Sequence, residues 1–256
     1  MRVDLSQWLS PTTIPPDWII PNLLYRGALV VLGGEAGVGK SVFGYNLSVC
    51  LATGTAFLES YPTTPKRVVY FDQENSEADA REYLNWAWRG LGKVNPPLLT
   101  DNLRIEHFSL GTKTGWASTM RGALEEHHAD FFMVDTATPA FGVQDENSNA
   151  EAAEIINRLR ELQHLTSPPL GGLIIKHATI DHENGRKTLR GAKTWHGAVD
   201  NIWFHIRRQG QPTREGLSAT TIEPAKPRAF GLRSPLIIRP RFADDRTALV
   251  LTAEEK

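Results

Sequence analysis

Gly34-Glu35-Ala36-Gly37-Val38-Gly39-Lys40-Ser41 is the stretch on which the reading of this chain turns. It fits the pattern G-x-x-x-x-G-K-[ST] without a mismatch. A β-rich run at 28–32 precedes it and an amphipathic run at 40–51 follows it, which is the strand–loop–helix setting the pattern requires. The glycines let the backbone fold tightly enough for amide N–H groups to surround phosphate oxygens, and the helix beginning near Lys40 adds its positive end. Lys40 is expected to reach the β- and γ-phosphates, and the Ser41 hydroxyl to ligate Mg²⁺. ATP and Mg²⁺ are therefore the expected ligands.

Outward from this loop, short β-rich runs at 67–71, 103–108, 131–135 and 173–176 alternate with helix patterns at 77–89, 116–127 and 150–163, where apolar residues recur every three or four positions. That alternation predicts an α/β fold with a mostly parallel sheet flanked by helices. After His177 the texture changes. Residues 179–196 are polar, charged and punctuated by Gly, so they read as a long loop. Strand patterns follow at 201–207, 217–223, 235–238 and 247–251 with no helix pattern between them, which predicts an antiparallel extension at the C-terminal end. Residues 1–27 carry Pro11, Pro15, Pro16 and Pro21 around Trp18, Ile19 and Ile20, and read as an ordered arm packed on a single domain spanning 28–256.

Composition narrows the class. The chain has 256 residues, 28 Lys plus Arg against 29 Asp plus Glu, and a single cysteine, Cys50. The balance of charge argues against coating nucleic acid by bulk positive charge, and one cysteine excludes a disulfide scaffold or a multi-cysteine metal site. The longest unbroken apolar run, 28–32, is far too short for a membrane span or a signal-peptide core, so a cytoplasmic protein without a membrane partner is expected. Asp181-His182-Glu183 could hold a metal on paper, but three adjacent side chains on a loop rarely converge.

Two acidic positions stand at strand ends. Asp135 closes the apolar run Phe131-Phe132-Met133-Val134, where a carboxylate on a neighbouring strand can meet the metal held by Ser41. Glu74 lies two residues past Asp72 at the end of the strand that follows the P-loop helix. It could serve a catalytic site, or sit at the start of the next helix with Asn75 or Ser76 as cap.

With these residues the chain resembles the RecA-like P-loop ATPases, and within them the plasmid RepA-type hexameric helicases. The resemblance runs from Asp17 to about Arg233 and includes Ile174-Ile175-Lys176-His177 and Arg190-Gly191-Ala192. It implies a RecA-like domain. Glu74 would polarise the water that attacks the γ-phosphate, and His177 would sense that phosphate. Lys226 and Arg228 would reach into a neighbouring subunit's ATP site, although Pro227 separates them. It further implies a homo-oligomer, ring or filament, with shared ATP sites.

In such proteins the single-stranded DNA loops follow the second acidic strand and the sensor strand, here 141–149 and 179–196. The first is acidic. The second carries Arg186, Lys187, Arg190 and Lys193 against Asp181 and Glu183, with Trp195 as a stacking platform. The expected function is thus an Mg²⁺-dependent ATPase acting as a motor on single-stranded DNA. A compact recombinase or annealing mediator, and a KaiC-like regulatory ATPase with a protein partner, are the alternatives.

Overall fold

The structure is a computed structural model, and it describes residues 9, 15–108, 110, 115–181, 183–208, 218–226 and 230–255. The strand elements are β1 (Trp18–Ile20), β2 (Leu24–Tyr25), β3 (Leu29–Gly34), β4 (Val68–Asp72), β5 (Leu103–His107), β6 (Phe131–Asp135), β7 (Gly171–Ile180), β8 (Lys187–Leu189), β9 (Asn201–Arg207), β10 (Thr220–Lys226), β11 (Leu236–Phe242) and β12 (Leu249–Glu255). The helices are α1 (Lys40–Thr53), α2 (Glu77–Gly90), α3 (Pro96–Asn102), α4 (Trp116–Glu126), α5 (Ala137–Phe141), α6 (Asn149–Gln163) and α7 (Thr194–Ala198).

One sheet organises the molecule in the order β12-β11-β10-β9-β3-β7-β6-β4-β5, with β8 paired to β7. From β9 to β5 all neighbours are parallel, which places their C-terminal ends along one edge. This is the RecA-like α/β architecture, and ligand sites of such sheets lie at that edge. The central strands are buried on both faces, so they read as unbroken apolar runs rather than alternating ones. Leu29 and Val31 pack into a core with α4 and α6. Val30 and Leu32 turn to the opposite face and pack with α1 and with the β1–β2 hairpin. Ile19, Ile20, Leu23 and Leu24 of that hairpin are buried, so the arm joins the main core from Trp18 onward.

Three local differences from the sequence expectation have physical causes. β9 is parallel to β3 and not antiparallel. The five-residue α7 supplies the crossover, and a helix that short leaves almost no periodic signal. The antiparallel extension begins one strand later, with β10, β11 and β12. α3 starts with two prolines, a composition that reads as loop, yet proline suits the first positions of a helix.

The third difference is the expected long loop at 179–196, which is interrupted by regular structure, with β7 at its start, β8 within it and α7 at its end. β7 runs on to Ile180 and β8 folds back against it, pairing Ala178 with Leu189 and Ile180 with Lys187. The reversal is held by the Asp181 carboxylate, which accepts from the backbone N–H groups of Glu183 (3.1 Å) and Asn184 (3.0 Å). Buried Ala178, Ile180 and Leu189 supply the apolar side, and the charges around them hid that alternation. No helix among the described residues is long and apolar enough to cross a membrane.

The C-terminal strands close over α2 at one close contact. A Cβ on Gly90 would collide with the Leu249 carbonyl oxygen of β12. Alanine should favour an isolated helix by about 1 kcal/mol over glycine. Gly90→Ala is nevertheless expected to destabilise the protein, because overpacking of this kind costs about 1–3 kcal/mol and here the obstacle is backbone. Urea unfolding should show a lower midpoint at unchanged m-value.

Candidate active site

The edge formed by the parallel strands brings the predicted residues together. Gly34 is in register with His177 of β7 on one side and His205 of β9 on the other, and Asp72 is in register with Asp135. Gly37 (φ 71°) and Gly39 (φ 98°) adopt left-handed conformations, so the loop at 34–41 can wrap into a cradle before α1 starts. Lys40 is buried, and its Nζ donates to the Glu35 carbonyl across the loop at 2.8 Å. Burial lowers its pKa, while Asp135 and Glu74 work in the opposite direction by attracting the ammonium.

Asp135 is fully buried at the end of β6. Its Oδ2 accepts from the Tyr70 hydroxyl at 2.9 Å and the Asn75 side-chain amide at 3.2 Å. Among the described residues its Oδ1 has no hydrogen-bond partner. Burial raises the carboxyl to a pKa of about 6; nearby Ser41 pulls it down and Asp72 pushes it further up. A buried, unpartnered carboxylate oxygen close to a hydroxyl is the donor chemistry a hard divalent cation takes. Ser41 and Asp135 therefore fit Mg²⁺.

Asp72 is the part of the site that sequence reasoning passed over. It is fully buried, and its carboxylate accepts from the Tyr45 hydroxyl (2.7 Å), from the backbone of Glu74 (3.2 Å) and Asn75 (3.0 Å), and from the Asn75 side-chain amide. Asn75 thus bridges the two aspartates, and the stacked rings of Tyr45 and Tyr70, 4.4 Å apart, carry the hydroxyls that complete the network. The available signal was a tyrosine on α1 and another on β4, each able to present a polar tip to a strand-end acid.

This network shapes the turn that carries Glu74. Ser76 is the cap of α2, accepting from the Asp79 N–H at 3.1 Å, and Glu74 lies two residues before it, outside the helix. Its Oε1 lies 3.5 Å from His177 Nε2. Its pKa falls to about 2, chiefly through His177, with Thr136 and Lys40 adding to the effect and desolvation opposing it. Glu74 is therefore ionised throughout the neutral range.

A cavity of about 310 Å³ opens beside Gly37, Val38 and Gly39, walled by Phe43, Trp86 and Phe242. Its apolar walls next to a phosphate cradle suit a nucleobase. Two further β9 residues face it. His205 is buried, bonds Thr220 Oγ1 through Nε2 at 2.7 Å, and is kept neutral by burial, with a pKa of about 3. Arg207 donates from Nη2 to the Gly37 carbonyl at 2.9 Å and pins the loop tip. Neither carried a motif.

Other expectations changed. Trp195 is buried, with its ring 4.8 Å from Lys176 Nζ, so it offers no stacking platform to a nucleic acid. Lys187 is ion-paired with Glu223 at 2.5 Å, which leaves Arg186, Arg190 and Lys193 as the exposed cations of that set. Lys226 Nζ donates to the carbonyls of His196, Gly197 and Val199 at 2.6–2.8 Å and fastens the end of α7 within its own subunit. Arg228 and His182 lie outside the described residues. Among the described residues no cluster of acidic, His and Cys side chains has metal-binding geometry, and Cys50 is a buried thiol whose pKa burial raises to about 12.

A family model described as AAA domain (AAA_25) matches residues 2–180, which is more than half of the chain and contains the cradle, Glu74, Asp135 and His177. No curated protein matches the chain.

Asn75→Ala leaves Asp72 and Asp135 buried side by side without their shared donor. Hydrogen bonds to charged groups contribute about 1.5–3 kcal/mol each, so a loss of that order is expected in Mg²⁺-free buffer. The loss should be larger at pH 8 than at pH 5. Asp135 titrates near 6, and below that pH it is neutral and needs the amide less. Denaturant midpoints of both proteins at the two pH values check this.

Proposed function

The chain belongs to the AAA domain family of P-loop ATPases, and from that premise we propose that it works as an ATP-driven motor on single-stranded DNA within a homo-oligomer, in the manner of a RepA-type helicase. One observation carries the reading. β7 presents His177 to Glu74 and then continues without a break into the hairpin whose turn bears exposed Arg186. A change at the nucleotide therefore has a continuous strand through which to move a cationic tip.

The roles follow from the chemistry of each group. The amides of the loop and Lys40 hold the phosphates, and the cavity beside Trp86 holds the base. Ser41 and Asp135 would hold Mg²⁺, which supplies charge neutralisation on the phosphates when bound. Glu74 orients the attacking water through its ionised carboxylate. A carboxylate of such low pKa is a weak proton acceptor, but a loose phosphoryl-transfer transition state needs a well-placed water more than a strong base. Arg186 and Lys193 are the cations proposed to follow the DNA backbone, and Arg228 is the residue proposed to reach a neighbouring subunit.

Lys40→Ala should lose nucleotide binding, whereas Glu74→Gln should bind ATP and lose turnover by at least a hundredfold. Single-stranded DNA should stimulate the parent's ATPase. Arg186→Ala with Lys193→Ala should weaken binding to all single strands alike and reduce the salt slope by about 0.7 per lost phosphate contact. Titration of a fluorescent oligonucleotide at several salt concentrations reads this directly. Turnover indifferent to single strands, together with no oligonucleotide binding, would remove the DNA motor and leave an ATPase with a protein partner. Strand annealing without displacement would point to a recombination mediator instead.

A further inference from the structure

Arg190 follows the last residue of β8, and its backbone is fixed on both sides. Leu189 packs over Gly33, where any Cβ would collide with its Cδ2, so the end of β8 lies against β3 one residue before the phosphate loop. The Arg190 N–H donates to the His177 carbonyl at 2.9 Å, and His177 is the register partner of Gly34. On the other side Gly191 (φ 86°) meets the Glu146 carbonyl so closely that no side chain fits, and the Ala192 N–H donates to the same carbonyl at 2.6 Å.

The Arg190 side chain is exposed and, among the described residues, has no hydrogen bond or ion pair. The residue's backbone is bonded to His177, the register partner of Gly34, and so stands at the strand end from which the loop carrying Lys40 departs. Two cations from separate elements thus stand at the same end of the sheet, beside the cradle. Like charges brought together in this way repel, and a polyanion between them converts that repulsion into attraction for both. A guanidinium suits this task because its planar fork matches two oxygens of one phosphate.

We propose that Arg190 binds the γ-phosphate of the ATP held by its own subunit, so that the β7–β8 hairpin reads the nucleotide in cis. The inference rests on residues 34–41 being the ATP site. ADP lacks the group that joins Arg190 to Lys40, so hydrolysis releases one of the hairpin's anchors. That gives ATP and ADP a difference in contacts with the hairpin, which a ligand needs if it is to shift an equilibrium. Arg190 is then removed from the DNA-contacting set, and Arg186 at the tip remains in it.

The test compares Arg190→Ala, Arg190→Lys and Lys40→Ala, with affinities for ADP and for a non-hydrolysable ATP analogue measured on each. For Arg190→Ala the ADP affinity should stay within about twofold of the parent, while analogue affinity falls about tenfold or more. Arg190→Lys should recover only part of that loss, because an ammonium lacks the fork. Mixing Arg190→Ala with Lys40→Ala subunits should restore no turnover, since both lesions then belong to the same subunit's site.

An unchanged ratio of analogue to ADP affinity in Arg190→Ala would overturn the proposal. So would an equal loss of both affinities, or rescue by mixing, which would place Arg190 in a neighbour's site. A loss of oligonucleotide affinity with nucleotide discrimination intact would return Arg190 to the DNA. Parent-like nucleotide binding by Lys40→Ala would instead remove the ATP-site reading, and this inference with it.

Discussion

Two aspartates buried side by side set the terms for the whole site. Asp72 and Asp135 close adjacent strands in register, both fully buried, and two carboxylates so placed cannot both be charged without donors around them. The side-chain donors present are two tyrosine hydroxyls and one asparagine amide, and each comes from a different element: α1, β4 and the turn after β4. That division ties the phosphate-loop helix, the central sheet and the Glu74 turn into a single unit. Asp72 has its lone pairs occupied by this network, while Asp135 keeps Oδ1 unpartnered and its pKa raised. One acid is thereby structural and the other is left available to a cation, although the sequence shows both as Asp at the end of an apolar run.

Much of the fold was legible because its strongest signals are local. A glycine-rich loop between a strand and a helix, and apolar runs too long to alternate, depend only on neighbours in sequence. What was lost depends on distant partners. The hairpin of β7 and β8 is held by Leu189 over Gly33 and by Glu146 beneath Gly191, contacts across more than forty residues that leave only a charged, Gly-containing stretch to read. Trp195 failed as a stacking platform for the same reason. An aromatic in a basic loop looks exposed until the neighbouring strand places Lys176 against its ring and the core closes around both.

The site itself divides along the same line. Lys40, Ser41, Asp135 and Glu74 are visible as candidates because each stands at a fixed offset from a strand end or from the glycine-rich loop. His205 and Arg207 are not, since β9 reaches the cradle only by lying parallel to β3, and the short α7 that turns the chain gave no warning of it. Lys226 shows the opposite hazard. A lysine beyond a strand in a basic stretch invites a role in recognition, yet its ammonium serves three carbonyls at the end of α7 and holds the crossover that places β9.

The hairpin and the acidic loop before α6 form one structure and not two. Ala192 and Gly191 lock onto Glu146, Thr194 donates to Asn149, and Thr138 donates to the Glu146 carboxylate at 2.7 Å. Since α5 begins two residues after Asp135, a shift at that aspartate reaches Glu146 through α5. A shift at His177 reaches the same place through Arg190 and Gly191. Both routes end on one residue, Glu146, the first on its carboxylate and the second on its carbonyl, and packed contacts of this kind have discrete arrangements rather than a continuous range. Nucleotide chemistry at either Asp135 or His177 would therefore act on the hairpin as a single displacement, with the short lever from Ile180 to Lys187 as its outermost part.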